Sequence, residues 1–275
     1  MDLVVDGECG SQRFLVYLQP QSVPWRVTID LRGLTWCEPV GLVGIAAFAE
    51  RYLLRDDRVV VIRPRDDSRA RYLARMRLGS VLEALGAEHD LPTVRERQLS
   101  DALLELTPFD GARGAGSLAA HVHGVVSQYD IEAANALHSG LCEAGQNVAH
   151  HSGRQRGFLA AQRTHNGRRL LFAVGDSGRG MRYTLRERGA KSDRDALLLA
   201  LRRGVSRCSD VGRGVGLPDV LELVLGLSGS LHLASGGACV TVRDGRFTMG
   251  RADRHFRGTL LQGLVHPRAT VLNSL

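Results

Sequence analysis

The sequence predicts an α/β protein in two parts. Residues 1–100 read as a small α/β layer, residues 101–116 as a connection, and residues 117–275 as an α/β sandwich with a mixed, mostly antiparallel sheet and helices on one face. Three observations lead to this. Strand and helix signals alternate between residues 26 and 63 as in a βαβ unit. A Pro- and Gly-bearing stretch without sustained period follows Glu88. Beyond it, two long helical patterns precede a series of strand signals.

In chain order, Arg26-Val27-Thr28-Ile29-Asp30-Leu31 is short and β-branched, Pro39 to Leu54 is rich in Ala and Leu at helical spacing, and Arg58 to Ile62 is a second buried strand. A helix follows over Asp67 to Arg77, with Asp66, Asp67 and Ser68 as caps, and a short one over Ser80 to Leu85. Pro92, Pro108, Gly111, Gly114 and Gly116 punctuate the connection. Ser117 to Ser127 and Ile131 to His151 carry helical periodicity. Phe158 to Thr164 and Arg169 to Val174 pair as strands around Asn166-Gly167. The charged stretch Arg182 to Arg194 interrupts the pattern before a helix over Asp195 to Arg203. Gly216 to Leu225 is a further helix, and Leu231 to Ala234, Cys239 to Arg243 and Thr259 to Val265 are strands.

Composition excludes several classes. The 44% hydrophobic and 24% charged shares are those of a globular chain that folds. No apolar run is long enough to span a bilayer, and the first residues lack a secretory signal, so the expected location is the cytoplasm with no membrane contact. Cys9, Cys37, Cys142, Cys208 and Cys239 are scattered, odd in number and without a C-x-x-C pair, which argues against a disulfide framework and a zinc site. The net charge of +7 comes almost wholly from arginine, interspersed with 29 acids, and aromatics make up only 5%. Nucleic acid is therefore not the expected partner.

Four clusters in the second half carry chemistry. Glu143, Asn147 and His151, spaced i, i+4 and i+8, form a line along one helical face. A carboxylate beside a carboxamide offers a general base for water and an oxygen ligand for a hard cation; the same line also fits a solvated helix face. Asp176 ends the apolar run Leu170 to Val174 and precedes Ser177-Gly178-Arg179-Gly180-Met181. A carboxylate there is poorly solvated and needs a partner such as an exocyclic amine, though a plain strand-to-loop turn is the alternative. Gly212-Arg213-Gly214-Val215-Gly216-Leu217 leads into a helix N-terminus, an anion site by its free N–H groups and dipole. It follows a charged loop rather than the first strand of a βαβ unit, so a dinucleotide fingerprint is rejected. Gly258-Thr259 opens the final strand and gains meaning only from its place in the series.

In that order the clusters resemble the motifs of the GHKL superfamily of ATPases, which includes gyrase, histidine kinases and anti-sigma-factor serine kinases. The resemblance covers residues 115 to 267: Cys142 to Ser152 stands at the N box, Val174 to Met181 at the first glycine box, Gly204 to Leu217 at the lid end and second glycine box, and Gly258-Thr259 at the last. It implies a Bergerat-type ATP-binding fold with ATP and Mg²⁺ as cofactors. Glu143 would be the base, Asn147 the Mg²⁺ ligand, Asp176 the adenine reader, and Arg182 to Val211 a lid that contains Lys191. His151, Gly178, Gly180, Met181, Gly212, Arg213, Gly214, Val215, Gly216, Leu217 and Thr259 would complete the nucleotide site.

Residues 27 to 85 are similar to a STAS domain, the fold of anti-anti-sigma factors, through Asp30-Leu31-Arg32-Gly33-Leu34 and Glu38-Pro39-Val40-Gly41-Leu42. Such factors carry a phosphorylatable Ser or Thr directly before the helix, where Pro39 and Val40 stand here without a hydroxyl. A helical hairpin with a His-Glu pair, the mark of a histidine kinase, is also lacking. The expectation is a bacterial Mg²⁺-ATP-binding regulator that couples nucleotide state to a protein contact, with slow ATP hydrolysis compatible with it but not required. Its partner would be a sigma factor or a STAS antagonist, and a homodimer is compatible with it. The alternatives are a serine/threonine kinase acting on a separate STAS partner and a non-hydrolysing interaction module.

Overall fold

The computed structural model describes residues 2–9, 18–19, 25–95, 102–164, 168–202 and 216–267. It is a mixed α/β structure with two sheets. The first is built from β1 (Asp2–Cys9), β2 (Leu18–Gln19), β3 (Arg26–Cys37), β4 (Arg58–Ile62) and β5 (Glu88–His89), in the order β2-β1-β3-β4-β5. All neighbours are parallel except β2, which runs antiparallel to β1. Helix α1 (Pro39–Leu53) makes the predicted crossover between β3 and β4, and α2 (Asp67–Arg75) and α3 (Leu78–Leu85) follow β4. Asp66 caps α2 by accepting the Arg69 N–H at 2.9 Å.

The second sheet is antiparallel throughout, in the order β6-β7-β8-β10-β9. Its elements in sequence are β6 (Ala102–Asp110), α4 (Gly111–Val126), α5 (Ile131–His151), β7 (Arg156–Thr164), β8 (Arg169–Asp176), α6 (Met181–Leu185), α7 (Asp193–Ala200), α8 (Leu217–Gly226), β9 (Ser230–Arg243) and β10 (Arg246–Val265). Residues 102–116 of the expected connection 101–116 instead supply β6 and the first turns of α4. Pro108 marks a turn in sequence, but β6 is the edge strand, where a missing N–H is tolerated. The two strands predicted over Leu231 to Arg243 are one continuous strand, β9.

The largest departure concerns the faces of this second sheet. Helices on one face were expected; the sheet is covered on both. Leu159, Ala161, Phe172, Val174, Leu233 and Leu261 belong to a core with α4, α5 and α8. Phe158, Ala160, Ala173, Ala234 and Leu260, which alternate with them, belong to a core with α1 and the first sheet. Helix α1 is correspondingly buried on every side from Pro39 to Glu50, as a helix apolar all round must be. It is the layer between the two sheets.

The join is polar at both ends of α1. Glu38, its N-cap, makes no side-chain capping bond; the cap comes from β10, where Gln262 Oε1 accepts the Val40 N–H at 3.1 Å and Gln262 Nε2 donates to Glu38 Oε2 at 2.7 Å. At the other end the Ser177 hydroxyl donates to Glu50 Oε2 at 2.6 Å, and Arg156 lies 3.6 Å from Glu50. Tyr72 of α2 donates to Gln162 Oε1 of β7 at 3.0 Å. Gln262→Leu strands a buried backbone donor at Val40. We expect a loss of about 1–3 kcal/mol of unfolding free energy, measured by denaturant titration, and no loss would show the cap to be dispensable. The cysteines, scattered in sequence, are not all apart in space. Cys9 and Cys37 are register partners and buried free thiols, and a Cβ on Gly41 of α1 would come within 2.8 Å of both sulfurs.

Candidate functional site

A cavity lies between α5, the C-terminal end of β8, α6 and the start of α8. Its lining draws on all four sequence clusters: Glu143, Asn147 and His151 from α5, Asp176, Gly180 and Met181 from the end of β8 and the start of α6, Gly216 and Leu217 at the start of α8, and Thr259 from β10. Asp130 starts α5 by accepting the Ala133 N–H at 2.9 Å, which sets the helix register that presents the three α5 side chains. Val148, Val174, Leu185, Leu233 and Leu261 give the cavity apolar walls.

Asp176 is only 3% exposed. One carboxylate oxygen accepts the Gly178 N–H at 2.7 Å, and the Thr259 N–H donates to the same group. Burial pushes its pKa up to about 7 against the pull of those two amides, and the Glu50 carboxylate adds to the rise. Thr259 reaches this place because β10 pairs it with Asp176, and Gly258 makes the approach sterically feasible. Its φ is +132°, and a Cβ there would collide with the Asp176 carbonyl oxygen.

Glu143 is half-buried, and burial likewise pushes its pKa up to about 7; Asn147 Nδ2 donates to Glu143 Oε1 at 3.2 Å and opposes the shift, while Asp219 reinforces it. Two carboxyl groups that exchange protons near neutrality thus face one cavity from different walls. One is deep and amide-bound; the other is nearer solvent and beside a carboxamide.

The loop after Asp176 is tied down on several sides. The Arg179 N–H donates to the Ser152 carbonyl at 2.8 Å, the Met181 N–H to Ser235 Oγ at 2.9 Å, Ser235 Oγ to the Gly258 carbonyl at 2.6 Å, and Thr184 Oγ1 to the His151 carbonyl at 3.3 Å. Gly178 does not line the cavity. It packs on Ser152, and its role is the amide it gives to Asp176. Lys191 of the predicted lid lies on the opposite side of α6 from the cavity. Gly212, Arg213, Gly214 and Val215 lie outside the described residues.

No family model and no curated protein matches this chain. The site's chemistry therefore stands on its geometry. Sequence reasoning missed Thr184, Leu185 and Arg188, which line the cavity from α6 and the turn after it, and Glu50, which anchors Ser177 from the first half of the chain. Glu50 carried a signal of its own, an acidic residue that closes the uncharged, largely apolar run Pro39 to Ala49, and its burial raises its pKa. Among the described residues, no helix is long and apolar enough to cross a membrane.

Proposed function

We propose that this chain is a Mg²⁺-ATP-binding regulatory protein, its second half a GHKL-type, histidine-kinase-like ATP-binding unit of Bergerat fold and its first half a STAS-like module without a phosphoacceptor. Its main support is the convergence of four clusters, spread from Glu143 to Thr259, on one cavity. The residues fit an adenine nucleotide. A flat base suits the apolar walls, and Asp176, fully buried and already given two amide hydrogens, has acceptor capacity left for an exocyclic amine. Among the described residues, no group of three or more His, Cys, Asp and Glu side chains is placed to hold a metal. A cation here would be held by Asn147 with phosphate oxygens completing its shell, and it would neutralise phosphate charge.

Within this reading Asp176 selects the base, the start of α8 faces anionic oxygens with its N-terminal dipole, and Glu143 takes a proton from water. The STAS-like half has a docking role. The positions matching a phosphoacceptor, Pro39 and Val40, lack hydroxyls and are buried where α1 meets the second sheet, which favours a fixed structural contact over a switch. Serine/threonine kinase activity on a separate STAS partner is the second reading.

Calorimetry with Mg²⁺ present tests the base pocket. At pH 8, where Asp176 is ionised, ATP should bind saturably and GTP at least about tenfold more weakly, because the guanine 6-oxo group meets a carboxylate with no hydrogen between them. Equal affinities would sink the assignment of Asp176. Incubation with γ-labelled ATP, alone and with lysate, separates the outputs: free phosphate supports an ATPase, a labelled protein a kinase, and neither an interaction module.

A further inference from the structure

On the face of α6 turned away from the cavity lies a groove of about 740 Å³ with a strongly cationic lining: Arg51 from α1, Arg179 from the loop after β8, Arg182 and Arg186 from α6 and the turn after it, Lys191, and Arg257 of β10. It continues through Arg51 and Arg257 into a second hollow of about 450 Å³ beside Arg55. Among the described residues the one acid in the lining is Asp193, whose carboxylate accepts the Gly237 N–H at 2.8 Å. Among the described residues no ion pair links Arg51, Arg179, Arg182, Lys191 or Arg257 to a carboxylate, and Arg186 has only its exposed neighbour Glu187 at 4.0 Å.

The positive charges are held together rather than scattered. The guanidiniums of Arg179 and Arg186 sit 5.0 and 4.6 Å from the ring centroid of Tyr183, which fixes both at the groove wall. Arg51 has its pKa lowered by partial burial and by the neighbouring cations Arg257, Arg154 and Arg55. Six crowded cations against one acid in the described lining repel one another, and a bound anion relieves that repulsion.

We propose that this groove is the docking site for an acidic, carboxylate-rich segment of a partner protein. Two connected hollows suit an extended chain rather than a single small anion. A carboxylate fits guanidinium forks directly. Nucleic acid is the poorer fit, because binding of single strands relies on aromatic faces for base stacking, and the exposed aromatic of this groove, Tyr183, already carries two arginines. The groove holds its partner whether or not the neighbouring cavity holds a nucleotide.

Fluorescence anisotropy of the full chain, without nucleotide, tests this with three labelled probes: an oligoglutamate, a neutral Gly/Ser peptide and a single-stranded oligothymidylate. Oligoglutamate should bind saturably, more weakly as salt rises, and the neutral peptide should not bind. The Arg51→Glu/Arg257→Glu double variant should lose about tenfold or more in oligoglutamate affinity, while Arg243→Glu/Arg246→Glu, an equal charge change on exposed residues outside the groove, should change it less than about threefold. If the first double variant fails to fold by circular dichroism, Arg257→Glu alone, on an exposed side chain, must weaken binding by about threefold. Absence of saturable oligoglutamate binding, tighter binding of oligothymidylate, or equal losses in the two charge-matched variants would overturn the proposal.

Discussion

Asp176→Asn should reduce ATP affinity at least ~100-fold in a protein that remains folded. The side-chain oxygen of Asn can still accept the Gly178 amide, so the loop keeps that anchor. Its other atom becomes an NH₂ group where the wild type presents an acceptor. An adenine amine arriving there meets a donor, and two buried donors are left without partners. The same substitution should raise stability in the nucleotide-free state above neutral pH. The carboxyl has a folded-state pKa of about 7 against 3.8 unfolded, so the folded state holds the extra proton between those values. Stability from this group is complete below about pH 4 and lost as pH rises through about 7. Asn does not titrate, and the variant should gain on the order of 3–4 kcal/mol over wild type at pH 8, with little difference at pH 4. Glu143 shifts in the same direction and preserves part of the slope in the variant. Unchanged ATP affinity by calorimetry would show that the base is read elsewhere. Denaturant midpoints that track wild type at both pH values would show that Asp176 is not held protonated.

Glu143→Gln should leave ATP binding within about threefold of wild type and lower phosphate release by about 10²–10⁴-fold, the range for loss of a general base. Gln keeps the shape of the side chain and the oxygen that accepts from Asn147 Nδ2 at 3.2 Å, so α5 and its neighbours need not rearrange. It cannot take a proton. Since burial pushes the Glu143 pKa up to about 7, wild-type turnover should rise with pH through that value and then level off, as a base active in its deprotonated form requires. Release that survives the substitution, or a rate flat across this pH range, places the base on another group.

Much of the fold was legible because the local signals agreed with the final packing. Arg26 to Leu31, Pro39 to Leu54 and Arg58 to Ile62 gave the βαβ unit, and the structure pairs β3 with β4 in parallel around α1. The long helix over Ile131 to His151 and the antiparallel pair flanking Asn166-Gly167 were equally plain. The order of the clusters on α5, β8 and β10 singled out residues that line one cavity, and Thr259 carried no signal beyond its place in that order.

What escaped the sequence was long-range. Pro108 argued against a strand, and only knowing that β6 lies at an edge removes the objection. The contact between halves rests on single polar residues, Gln262, Gln162 and Glu50, which no periodicity marks. Yet the double-faced burial of the second sheet did leave a trace. Unbroken apolar runs such as Leu170 to Val174, in a strand with antiparallel neighbours, require cover on both sides, and α1 is apolar on more faces than one sheet can use.

The placement of α1 also bears on the order in which the chain acquires its structure during synthesis. The residues that cover its outer face lie on β7, β8, β9 and β10, and the bond that caps it, from Val40 to Gln262 of β10, spans 222 positions. A nascent chain with only its first sheet complete would carry an exposed apolar helix on the ribosome until the strands of the second sheet had emerged. Such late closure slows folding and gives chaperones a surface to hold, and a ribosome stalled before β10 would release a species prone to aggregate.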